Sequence, residues 1–219
     1  MNVFISTTLS TALILGLNIA YSGVASASTH MAHAHMGHVS MGWAGTPEGK
    51  GFLPTAMAEA KTTAQHAKFA AKKPNDLGWM KTHIRHVLQT IDTSLESKGP
   101  GLGYGVLKAT GEAAKHINFA AKSEGASNNI KAHAVHVVAS FQNTMDRAQK
   151  ISTLGQAVLG TKNASKAAPL VKEIEILSHQ LLEGFDANGD GKITWHPGEG
   201  GLNAAEKHMK LMAKGEGMN

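Results

Sequence analysis

The chain has 219 residues, with 21 Lys and Arg against 16 Asp and Glu, 13 His, 24 Gly and no Cys. Without Cys there is no disulfide framework, thiolate metal site, covalently attached c-type haem or catalytic thiol. Aromatic residues make up 5% of the chain, which argues against stacking platforms for single-stranded nucleic acid, while 42% hydrophobic residues suffice for one buried core with a tail. The +5 formal charge comes from Lys scattered along helical stretches, a pattern of solvated helix faces rather than a nucleic-acid surface.

Residues 1–27 carry no charged side chain, and Thr11 to Ala20 is an apolar run containing Leu13, Ile14, Leu15, Leu17 and Ile19. Ala25-Ser26-Ala27 follows, in the small-x-small pattern of a signal-peptide cleavage site. The run is too short for a permanent membrane span, so the expectation is an exported protein, periplasmic or secreted. The segment lacks the usual basic residues ahead of its apolar core.

Residues 28–52 read as a flexible tail and linker. Cleavage after Ala27 would leave Ser28-Thr29-His30 at the N-terminus, where an α-amine, two amide nitrogens and an imidazole make a square plane suited to Cu(II) or Ni(II). His30, Met31, His33, His35, Met36, His38 and Met41 follow one another closely, seven potential ligands in fourteen residues. Imidazole suits copper, zinc or nickel and thioether suits Cu(I), so this stretch is a candidate metal-binding tail.

Residues 53–163 carry an internal duplication. Between 64–87 and 114–137, an offset of fifty residues gives ten identities, including His66, His83 and His86 against His116, His133 and His136. Each copy reads as a helical hairpin. In the first, 55–72 is Ala-rich, Lys73-Pro74-Asn75-Asp76 breaks the helix, and Met80, Ile84, Val87, Leu88, Ile91 and Leu95 recur at a helical period over 77–96. A Gly-rich linker at 99–105 leads to the second copy, with helices over 106–122 and 127–150. In each hairpin the single His and the His-x-x-His pair lie at about the same height, roughly 12–13 Å from the turn. Two such hairpins would make a four-helix bundle with six inward-facing imidazoles.

Those six residues admit a transition-metal site of one or two centres, a non-covalent haem b held by axial imidazoles, or structural packing alone. No carboxylate stands three residues before His66, His83, His116 or His133, which disfavours a ferritin-like di-iron centre. There is no Gly-x-Ser-x-Gly, and nothing names a substrate or general base, so an enzyme is the weaker reading.

Residues 164–219 read as a helix, a calcium loop and a helix packed on the bundle. Asp186-Ala187-Asn188-Gly189-Asp190-Gly191-Lys192-Ile193-Thr194 resembles the EF-hand loop. That resemblance implies calcium ligands at Asp186, Asn188 and Asp190, the carbonyl of Lys192, and Thr194, with Gly191 at the sharp turn. The loop departs where a bidentate Glu is expected: Pro197 stands there, and either the loop extends so that Glu199, the nearest Glu, becomes a calcium ligand, or water completes the shell. The flanking Ala204-Ala205-Glu206-Lys207-His208 echoes Ala113-Ala114-Lys115-His116, a trace of a third related unit in which His179 or His208 would be a remnant.

Taken together, Trp43-x-Gly-Thr-Pro-Glu-Gly, the His-x-x-His-Val helices, Gly103-Tyr104-Gly105 and the Asp-x-Asn-Gly-Asp-Gly loop resemble a group of exported bacterial His-rich helical-bundle proteins. The likeness spans about residues 41–214, implies architecture and an exported location, and transfers no reaction. The sequence therefore leads to an all-α protein whose partners are metal ions: copper, nickel or zinc at the His clusters for metal handling or buffering, and structural Ca²⁺ in the loop. The alternatives are a b-type haem electron carrier and a calcium-stabilised interaction module.

Overall fold

A computed structural model describes residues 22–218, with side chains from His30 onward. The described chain is all-helical: α1 (Ser22–Ser40), α2 (Phe52–Ala71), α3 (Leu77–Ile91), α4 (Val106–Lys122), α5 (Asn128–Gly160), α6 (Ala164–Glu183) and α7 (Leu202–Gly215). Local chemistry sets the helix starts. The Asp76 carboxylate accepts from Trp79 N at 2.9 Å, Ser127 Oγ from Ile130 N at 3.0 Å, and Asn163 Oδ1 from Ser165 N at 2.9 Å.

The two expected hairpins form, α2 against α3 and α4 against α5. The hairpins also pack on each other, α2 against α4 and α3 against α5, so these four helices form a bundle to which the remaining helices add. The second long helix runs past residue 150 to Gly160, and α6 folds back against α2, α3 and α5. The additional contact surface of α1 lies mainly along α4, and that of α7 along α5. One hydrophobic core joins Met36 and Val39 of α1 to Ile84 and Leu88, to Ile151 and Ile174, and to Met209 and Met212 of α7.

The flexible tail expected over 28–52 is not what the structure holds. Through Ser40 it is helix α1, because Ala32, Met36 and Val39 recur at a helical interval and bury on the core. A tight turn at Pro47–Gly49 then leads into α2. Of the expected export segment, residues 1–21 lie outside the described residues.

Two loops are tied down by buried charges. The Glu59 carboxylate, wholly buried on α2, accepts from the backbone amides of Leu102 (3.2 Å), Tyr104 (2.9 Å) and Gly105 (3.0 Å), which pins the Gly-rich linker. The Arg147 guanidinium of α5 donates to the carbonyls of Gly198, Glu199 and Gly200. Asn143, one turn earlier, donates to His196 O and accepts from Gly198 N, both at 2.8 Å. The segment after the Asp-rich loop is thereby docked on α5.

Candidate metal centres

Nine histidines gather in three groups of three: His35, His38 and His116; His66, His83 and His86; and His133, His136 and His208. Each group joins a His-x-x-His pair on one helix to a single His on another. The pairs stand on α1, α3 and α5, and the single residues on α4, α2 and α7.

One register of burial produces all six positions. Around each pair, the residues three before the first His, one after it, and one after the second are buried: Ala32, Met36 and Val39; Met80, Ile84 and Val87; Ile130, Ala134 and Val137. Around each single His, the residues three before, one after and four after are buried: Thr63, Ala67 and Ala70; Ala113, Ile117 and Ala120; Ala205, Met209 and Met212. With 3.6 residues per turn, the imidazoles then stand at the edge of the core stripe, along the seam between two helices. All nine are partly exposed rather than interior.

In every group the single His is central. His116 Nδ1 lies 2.9 Å from His35 Nδ1 and 3.3 Å from His38 Nδ1. His66 Nδ1 lies 3.0 Å from that of His83 and 3.1 Å from that of His86. His208 Nδ1 lies 3.2 Å from that of His133 and 3.3 Å from that of His136. A nitrogen of a neutral imidazole carries either one hydrogen or one in-plane lone pair. The central Nδ1 therefore cannot make good hydrogen bonds to both neighbours at once. A cation shared by three lone pairs satisfies all of them. An ion about 2.0–2.1 Å from each nitrogen sets neighbouring nitrogens about 2.9 Å apart at a right angle and about 3.3 Å apart at the tetrahedral angle, the range found here.

Burial favours the neutral form of six of these rings. Burial, then the neighbouring His86 and His83, lowers His66 to about 4. Burial, then His136, His133 and Lys207, does the same for His208, also to about 4. His35, His83, His116 and His136 are lowered as well, burial being the leading cause in each. A metal thus meets little competition from protons at neutral pH.

The structure regroups the six expected bundle ligands. His66, His83 and His86 come together within one hairpin as the sequence suggested. His116 does not join His133 and His136, even though α4 packs on α5; its ring sits on the seam with α1. His133 and His136 find His208 instead. The result is three separate groups rather than one cage at a common depth. His208, seen in the sequence only as a remnant, is a full member, whereas His179 is exposed and belongs to none. Of the tail residues, His35 and His38 are members, Met36 is buried in the core, and Met31 and Met41 are exposed. His30 is exposed, and His33 Nε2 lies 3.2 Å from Glu216 Oε2. A sequence signal for the third pair existed: His35-x-x-His38-Val39 repeats His83-x-x-His86-Val87 and His133-x-x-His136-Val137.

The Asp-rich loop is ordered by its own oxygens. Asp186 accepts from the amides of Gly189 (2.7 Å), Asp190 (3.2 Å) and Gly191 (2.9 Å), Asn188 from Asp190 N (2.9 Å), and Asp190 from Lys192 N (2.8 Å). Gly191 adopts φ +81° at the sharp turn. Glu199 is buried and turns back onto Thr194, accepting from its amide at 2.9 Å and its hydroxyl at 2.5 Å. A cleft of about 360 Å³ opens beside the third triad, with Thr194, Trp195, Lys207 and His208 among its walls.

No helix among the described residues is long and apolar enough to cross a membrane. Comparison with protein-family models, curated proteins and solved structures returned no match.

Proposed function

We propose that this protein binds transition-metal ions, one at each histidine triad, and handles or buffers them in an extracytoplasmic compartment. The observation that carries the reading is the threefold recurrence of a central Nδ1 within 3.3 Å of two others. Three neutral nitrogens with solvent access suit copper, zinc or nickel. Partial exposure at the seams favours an ion that is taken up and released over one locked in for structure. The export pattern of residues 1–27 supports the location.

We further propose that the 186–194 loop takes a structural Ca²⁺. Asp186, Asn188 and Asp190, the Lys192 carbonyl and Thr194 supply its oxygens, while Glu199 braces Thr194. A bis-histidine haem finds no support in the triads. Axial nitrogens stand on opposite sides of an iron, about 4 Å apart, whereas the central Nδ1 of each triad lies within 3.3 Å of both its neighbours.

The test is elemental analysis of the chain purified without an affinity tag from its own compartment. Three equivalents of copper, zinc or nickel per chain are expected, with one lost in each of His66→Ala, His116→Ala and His208→Ala. A chain that takes up none of these ions under saturating conditions would refute the reading.

A further inference from the structure

The chain has three tryptophans, and each lies against one triad. Trp43 meets His38 at 4.5 Å between ring centroids and His116 at 5.3 Å. Trp79 meets His83 at 4.5 Å, and Trp195 stacks on His136 at 4.4 Å with 20° between the planes. Descent from a common repeat does not account for this, because the three positions are not equivalent. Trp43 comes five residues after its His-x-x-His pair, Trp79 four residues before its own, and Trp195 from the loop ahead of α7. Three unrelated points of the chain bring the same ring to the same kind of site. Phe69 adds a second ring at His66 and His83, and Phe119 at His35 and His116.

The charge around the triads is the second observation. None of the three groups contains a carboxylate. Lys115 and Lys207 directly precede His116 and His208, and Lys73 Nζ lies 4.0 Å over the Trp79 ring. Glu112 is near the first triad but pairs with Lys115 at 2.7 Å. Three neutral imidazoles leave a divalent ion with its whole +2 charge beside ammonium groups. Such an ion calls for a fourth, preferably anionic, ligand, which none of the three groups supplies. A monovalent d¹⁰ ion carries half the charge and is content with three donors, and the electron-rich face of an indole favours a nearby cation.

We propose that the three indoles make the triads selective for Cu(I) over divalent ions, with Trp43, Trp79 and Trp195 as the residues that set this preference. This rests on the reading that the triads bind metal and names the ion.

The full chain is titrated without oxygen with Cu(I) against bicinchoninate, and separately with Zn(II) against a chromogenic chelator, while tryptophan emission is followed. Three Cu(I) per chain are expected, each quenching emission, and held more tightly than Zn(II). Trp79→Leu weakens one of the three Cu(I) roughly tenfold and changes Zn(II) at that triad less than twofold. Trp79→Phe, which keeps a ring and guards against misfolding, falls between. The other two triads in the same variant serve as internal controls. Equal weakening of both metals, or Zn(II) held more tightly than Cu(I) by the unaltered chain, overturns the proposal and leaves metal binding standing. Failure of both ions to bind overturns the proposal together with the function it rests on.

Discussion

His66 and His208 are residues at which protons compete little with a bound metal. Both sit at the centre of a triad, and burial together with neighbouring imidazoles holds them near 4 instead of 6.5. An ion bound there is not displaced by protons at the ordinary histidine pH. Metal released from the loaded protein on slow acidification should therefore appear well below 6.5, as the pH approaches about 4; complete release by pH 6 would contradict the burial argument. Glu59 makes a different demand at the same scale. It serves three backbone amides and has no substitute, so Glu59→Ala should lower stability by roughly 3 kcal/mol in urea unfolding. An effect under about 0.5 kcal/mol would mean that water takes its place.

Helix α1 is the element whose role changed most between sequence and structure. A polar, His-rich stretch resembles a solvated tail when read for composition. Its buried positions, Ala32, Met36 and Val39, are small or flexible residues that make a weak stripe by eye. Packed on α4, that stripe aims His35 and His38 at His116. Truncation to begin at Gly42 should thus lower the metal content by one ion, not abolish it, and leave the His66 and His208 triads loaded. Loss of all transition metal on that truncation would return the binding to the tail. Helix α5 acts at both ends of another relationship. It carries His133 and His136, and about three turns later Arg147 holds the segment that presents Trp195. Arg147→Ala is expected to weaken metal at the third triad and spare the one at His66, measured by competition with a chelator.

For the molecule as a whole, the triads couple metal, protons and folding. The lowered histidines stay neutral in the fold below 6.5, where the unfolded chain already takes up protons. Metal-free stability is therefore unaffected by these groups above 6.5 and falls as pH drops from 6.5 toward about 4, with no further loss from them below that. Chemical denaturation at several pH values reads this directly. Bound metal acts in the opposite sense: at a hundredfold excess over its dissociation constant, one ion per site adds about 2.7 kcal/mol, and a chelator should return the melting temperature to the metal-free value.

Helix content, the hairpin pairs and the candidate histidines were legible because they are local. A Pro-Asn-Asp break, an Ala-rich run and a His-x-x-His pair depend on neighbours within one or two turns. The duplication likewise located His66, His83 and His86 together, since all three lie in one hairpin. Which of the remaining imidazoles meet was not local. His116 has two helices within reach, α5 by hairpin connection and α1 by packing, and helical periodicity alone does not say which seam receives its ring. That choice is made when α6 folds back onto α2, α3 and α5, and when α1 and α7 cover the flanks of α4 and α5. Residue spacing along a helix determines the angle at which a ligand leaves it; only the packing of distant helices determines what stands opposite.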